Sequence, residues 1–291
     1  MKFLNVLWCV ILSQVLIAQL PNTSLFSLQI ENSMDSNWII RKVEFLSNFN
    51  PASYNNQPFL VNENLMLASI KLKTSDNTEI YKFDLQKKSY SNLTKSSASE
   101  YSPRCSSALL NSFTCVQVPR DDTSKQDLIQ MNLETGNIDK YIFKNKGKIG
   151  YYRHIKDKEW ACYLVDQPHI LGICNEDRST KKIFASSIGR CFEIMNGREI
   201  IFVHKITDEL WQLKSYNILT EKSNLLATMP KGTEDFVLDE YNQVICASGS
   251  KLLRLNRPQG WHVLVDLLPL NIDKITRLAL YKNRIILVSL N

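Results

Sequence analysis

EIYKFDLQKKSYSNLTKSSASEYSP, residues 79–103, is the stretch whose reading decides the fold. EIYKFDL carries the β-formers Ile80, Tyr81, Phe83 and Leu85 among polar residues, QKK makes a polar turn, and SYSNLT is a second short strand. SSASEYSP then leads into a new strand. The stretch therefore reads as the outer half of one small β-sheet followed by the start of the next.

Copies of the pattern run along the chain. SYNNQP (53–58) opens the first complete repeat, followed by LMLASIKL, EIYKFDL and SYSNLT. SEYSP (99–103) opens the second, with SALL, FTCVQV, DLIQMNL and IDKYIFK behind it. Pro58 and Pro103 are 45 residues apart, the length of one propeller blade. KIGYYRHI (148–155), SIGRCFEI (187–194) and TEDFVLDE (233–240) open the third, fourth and fifth repeats. DKITRLAL (273–280) opens a sixth that holds only two strands before the chain stops at Asn291.

Two orphan strands at the other end, 25–31 and 38–46, complete the count. Unpaired sheet edges invite aggregation, and closure removes them. The reading is an all-β, six-bladed β-propeller of four-stranded blades, its last blade made by 25–31 and 38–46 joined to 275–280 and 284–290. Imperfect alternation within the strands fits sheets packed on both faces.

Composition agrees. The 291 residues are 44% hydrophobic and 22% charged, enough to bury a substantial core, and 9 Gly with 9 Pro exclude collagen-like or low-complexity chains. The net charge of +6 is scattered, with KNKGK (144–148) as the one dense cluster. That cluster reads as a solvated loop without an RNA-binding signature, so no nucleic-acid partner is expected.

Met1–Ala18 reads as a secretory signal peptide: Lys2 is the positive n-region, 3–17 is largely apolar, and Ala18 precedes a cleavage point at Gln19. Residues 19–291 then form one propeller domain, exported to the periplasm or secreted, with no membrane insertion after cleavage and a monomer expected. Cleavage leaves six cysteines, an even number that permits disulfides. Cys162 and Cys174 flank the DQPH turn and would sit nearly opposite in a hairpin, although small apolar cysteines on strands are usually core filler. Without C-x-x-C there is no zinc-ribbon pattern.

At YNNQP (54–58), EIYKFDL (79–85), NLT (92–94) and EYSP (100–103) the chain resembles the TolB-like, WD-repeat-like six-bladed β-propellers of exported bacterial proteins. IGYYRHI, IGRCFEI, IIFVHK (200–205), TEDFVL and SGSKLLRL (248–255) extend the likeness to secreted Bacteroidetes-type propellers that lack an attached catalytic domain. It covers about residues 25–291. The family's P-D-G turn is eroded here to VNEN, LNS, KDK, MNG, DEY and YKN, which still supply Asn, Asp or Gly. Since function in that group is mostly unassigned, the resemblance implies an interaction module.

Each repeat opens on a polar cluster just before its innermost strand. The candidates are Asn55, Asn56 and Gln57; Glu100 and Tyr101; Tyr151, Tyr152 and Arg153; Gly189 and Arg190; Glu234 and Asp235; and Thr276 and Arg277. Innermost strands run parallel around the channel, so all six clusters are expected at one mouth, able to hold a protein, peptide or glycan. The plainer expectation is that these groups pair with one another and with channel water.

Catalytic patterns are sparse. His154, His169, His204 and His262 form no metal-binding or hydrolase pattern, and no G-x-S-x-G elbow occurs. His204 ends a strand and is the histidine expected nearest a pocket. Propeller lactonases hold a central metal with acidic and amide groups, which Asn55, Glu100 and Asp235 could imitate. DDTSKQD (121–127) lacks the Gly and Glu of a calcium loop and reads as a solvated turn. Trp38, Trp160, Trp211 and Trp261 read as packing between blades. No cofactor or metal is expected. The readings are a non-catalytic binding module, a metal-dependent hydrolase or lactonase at the same mouth, or a structural partner in an envelope complex through the blade rims.

Overall fold

The computed structural model describes residues 20–33, 37–105, 111–178 and 181–291. The expected signal peptide, and the SALL segment at 107–110, lie outside these. Six four-stranded antiparallel sheets form a ring. The first blade in chain order is β3 (Tyr54–Leu60), β4 (Leu65–Lys71), β5 (Glu79–Asp84) and β6 (Ser89–Asn92). The second is β7 (Ser99–Arg104), β8 (Ser112–Val118), β9 (Asp127–Asn132) and β10 (Ile138–Phe143). The third is β11 (Ile149–Lys156), β12 (Glu159–Leu164), β13 (Ile170–Asn175) and β14 (Lys181–Ser186). The fourth is β15 (Ile188–Met195), β16 (Glu199–Lys205), β17 (Trp211–Asn217) and β18 (Ser223–Thr228). The fifth is β19 (Phe236–Leu238), β20 (Val244–Ser248), β21 (Lys251–Asn256) and β22 (Gly260–Asp266), followed by one 3-10 turn at Leu268–Leu270.

Blade 6 joins the chain ends: β1 (Thr23–Asn32) and β2 (Trp38–Phe45) lie outside β24 (Arg284–Leu290) and β23 (Ile275–Tyr281), in the order β2-β1-β24-β23. Seven register pairs, from Thr23 opposite Leu290 to Gln29 opposite Arg284, hold the closure. This is the arrangement the orphan strands required. No helix of the described residues is long and apolar enough to cross a membrane.

The second strand of every blade is almost wholly buried, whereas the outermost strands β6, β14 and β18 are largely exposed. Apolar clusters fill the gaps between neighbouring blades. Leu67, Ile80, Phe113 and Ile129 pack blade 1 on blade 2, and Leu25, Met66, Phe83 and Val288 pack blade 6 on blade 1. Burial is favourable by ~25 cal/mol per Å² of apolar surface, so ring closure is driven by sheet faces that no blade covers alone. Gly136, at φ +71°, sits in the β9–β10 turn where a Cβ would lie 1.9 Å from Leu93 O of blade 1. Only glycine permits that approach of the two blades.

Most of the eroded turns work as the sequence suggested, but in YKN the left-handed residue is Lys282. Asp157, Asn196, Gly197 and Asn242 take left-handed backbone between first and second strands. Asp84, Asn132 and Asn217 each accept two backbone N–H groups just past the third strand, so an Asx turn recurs there. Cys162 opposes Gly172 and Trp160 opposes Cys174, so the two cysteines are diagonal neighbours rather than opposite ones. All six cysteines among the described residues are free thiols.

Candidate functional site

The innermost strands β3, β7, β11, β15, β19 and β23 surround the channel, and five of them carry a register shift. Gln57 and Ser102, each followed by proline, take positive φ of 53° and 56° at these bulges. A bulge inserts one residue and re-aims the side chains beside it. Gln57 Oε1 accepts from the Ser102 backbone N–H at 2.7 Å and from Ser69 Oγ at 2.9 Å, locking the bulges of blades 1 and 2 together.

Six of the fourteen candidates line one narrow neck: Gln57, Tyr151, Arg153, Arg190, Asp235 and Arg277. Its free volume is about 30 Å³, the scale of one or two waters. Arg277 Nη2 donates to Tyr151 Oη at 2.6 Å, its guanidinium carbon 5.1 Å from the Tyr151 ring centre, and Arg277 Nη1 lies 3.6 Å from Asp235 Oδ2. Arg153 makes a fork to Glu193 at 2.8 and 2.6 Å, with Arg104 3.8 Å from the same carboxylate. Arg104 and Glu193 were not among the candidates; both follow the cluster by a few residues on bulged strands.

Glu234 sits at the mouth, 2.9 Å from Arg190 Nε and 2.7 Å from Lys205 Nζ. Burial raises its carboxyl, but Arg190 and Lys205 outweigh that and hold it below its ordinary value. Burial dominates at Asp235, pushing its carboxyl up against the pull of Arg277 and Arg190. The mouth cavity, about 140 Å³, is lined by residues 231–235, Ser248, Gly249 and Thr276, and shares Arg190, Asp235, Arg277 and Leu278 with the neck.

The other six candidates, Gly189 among them, line neither cavity; Tyr152 is buried and its Oη donates to Ser102 O at 2.9 Å. Asn55 is fully buried and ties the closure together: its Nδ2 donates to Thr23 O at 2.7 Å and Asn50 O at 3.0 Å. Asn56 Oδ1 caps the Gln57 N–H at 2.8 Å. Glu100 lies between blades 1 and 2, where Oε1 accepts from Ser96 Oγ at 2.6 Å and Gln117 Nε2 at 3.2 Å while Oε2 has no partner. Burial pushes it up to about 7. Tyr101 packs edge-on to Tyr54, and Thr78 Oγ1 donates to its Oη at 3.3 Å. Asn55, Glu100 and Asp235 therefore do not converge as the ligand set of a metal. The expectation of one shared mouth for all six clusters is corrected to this extent: side chains before a bulge point into the blades.

The histidines take local roles. Lys214 Nζ lies 2.8 Å from His204 Nδ1, and burial followed by the Lys214 charge lowers that imidazole's pKa. His154 bonds the Asp157 carbonyl and His262 the Asn37 amide. Trp160 is buried with its Nε1 on Glu176, and Trp261 Nε1 donates to Thr228 O of the neighbouring blade.

No protein-family profile matches the chain, and no curated protein does. Solved structures do. The putative TolB from Agrobacterium tumefaciens superposes with a TM-score of 0.67 at 11% identity, over 93% of this chain and 99% of that one. TolB from Acinetobacter baumannii gives 0.58 at 12%, over 92% of this chain, which spans 64% of that protein's length. An oligogalacturonate lyase in complex with manganese gives 0.55 at 13%, over 89% of this chain and 84% of that one. At such identities the likeness is one of fold, and the fold is the TolB-like six-bladed propeller.

Proposed function

We propose that this propeller is a non-catalytic, exported binding module that takes a protein, peptide or glycan at the mouth beside residues 231–235 and Thr276. The observation that carries the reading is a pair of cavities that share Arg190, Asp235, Arg277 and Leu278, contributed by blades 4 to 6. A recess with a few converging charged groups on rigid strands suits recognition of a polar ligand. The carboxylates there are engaged by Arg and Lys, which favours recognition over metal-assisted hydrolysis. Export rests on the reading of Met1–Ala18.

A rim interaction is the second reading, favoured by a groove of about 500 Å³ between blades 6 and 1. Phe45 and Tyr90, exposed at 44% and 48%, flank it, with Phe49 stacked on Tyr90 at 3.8 Å. A photo-crosslinking side chain placed at Thr276 in one variant and at Tyr90 in another separates the two in cells. Adducts at Thr276 alone support the mouth; adducts at Tyr90 alone transfer the function to the rim.

A further inference from the structure

Four arginines line the neck, Arg104, Arg153, Arg190 and Arg277, against two carboxylates, Glu193 and Asp235. Glu234 and Lys205 at the mouth cancel each other. Two positive charges are thus left over around the neck, where Arg153 and Arg277 are largely buried and Arg104 and Arg190 are about a third exposed.

The hydrogen-bond inventory has the same sign. Arg277 Nε is buried without an acceptor, in a side chain only 11% exposed. Arg190 Nε, although 2.9 Å from Glu234 Oε1, is not aligned for a hydrogen bond. Tyr151 Oη receives Arg277 Nη2 and Gln57 Nε2, so its own hydroxyl proton is left to donate. Donors outnumber acceptors around a void of about 30 Å³. Burial, and next the charge of Arg153, lowers Arg104 to about 10.

We infer that the neck is a built site for one small monovalent anion, held by Arg190, Arg277 and Tyr151 above the Arg104 and Arg153 pair. A space on this scale suits chloride or a carboxylate tip. Chloride would come from solvent; a carboxylate would come from a ligand seated at the mouth. The site itself does not depend on whether the mouth has a macromolecular partner, so it stands or falls separately.

The test uses the whole mature chain. Sodium gluconate is replaced by sodium chloride at constant ionic strength, following the melting temperature and the 35Cl NMR linewidth. Saturable stabilisation and protein-dependent broadening are expected. The control is Arg104→Gln/Arg190→Gln, which removes the excess charge while Glu193 keeps Arg153 and Glu234 keeps Lys205. It is expected to fold and to lose both effects. Formate that abolishes the broadening assigns carboxylates to the site as well; formate without effect assigns it to halide alone. Equal behaviour in chloride and gluconate, or an unchanged response in the double variant, overturns the inference.

Discussion

Tyr151 Oη and Arg277 Nη2, 2.6 Å apart, join blade 3 to blade 6 across the channel. In a six-membered ring these blades face each other, so this one hydrogen bond spans the channel. The same guanidinium reaches Asp235 of the intervening fifth repeat. Arg277 is therefore the residue on which the neck's geometry turns.

Tyr151→Phe keeps the ring that Arg277 stacks on and deletes the oxygen that accepts from it. A charged donor left unpaired inside a protein costs ~1–3 kcal/mol. Urea unfolding should show a lower midpoint by that amount with an unchanged slope. A variant as stable as the parent would mean that water replaces the hydroxyl at no cost.

Glu100 gives stability a pH dependence. Its folded-state pKa is raised from the ordinary 4.5 to about 7, chiefly by burial, with Glu79 adding to the effect. The folded state therefore holds a proton that the unfolded chain has released. Stability from this group is greatest below about 4.5, falls as pH rises towards 7, and is level above that, a loss on the order of 3 kcal/mol. Glu100→Gln cannot ionise, so its stability at about pH 8 should exceed the parent's and the slope between about pH 5 and pH 7 should flatten. A slope unchanged in that variant would assign the dependence to another group.

Asn55→Ala tests the closure. The side chain satisfies Thr23 O and Asn50 O and accepts from Asn50 Nδ2 at 3.0 Å, all of it buried. Removing it strands several buried groups and should cost ~2–4 kcal/mol. Hydrogen exchange should show β1 and β24 losing protection before the middle blades do. Uniform loss over the whole ring would make the closure no weaker than any other blade.

Much of the architecture was legible because it depends on composition over many residues. Strand periodicity, the spacing of SYNNQP and SEYSP, and turn residues such as Asn196-Gly197 are local properties. The count of orphan strands at the two ends then left one economical way to close the ring. The candidate site was legible only in outline. Arg190, Asp235 and Arg277 reach the channel, whereas Asn55 and Glu100, in equivalent clusters, are buried in the blades. A one-residue change of register sends a strand's side chains to the opposite face, and the bulges at Gln57 and Ser102 make that change without any period in the sequence to announce it.

The sequence by itself determined six β-repeats, sheets buried on both faces, and a ring completed by joining residues 25–31 to 284–290. Only the tertiary structure decided which polar groups meet. It placed Cys162 diagonal to Cys174, added Arg104 and Glu193 to the channel, and brought Tyr151 to Arg277, 126 residues away. Repeats are specified by short-range pattern and burial, but a contact across a channel depends on the summed twist and bulges of every blade between its partners.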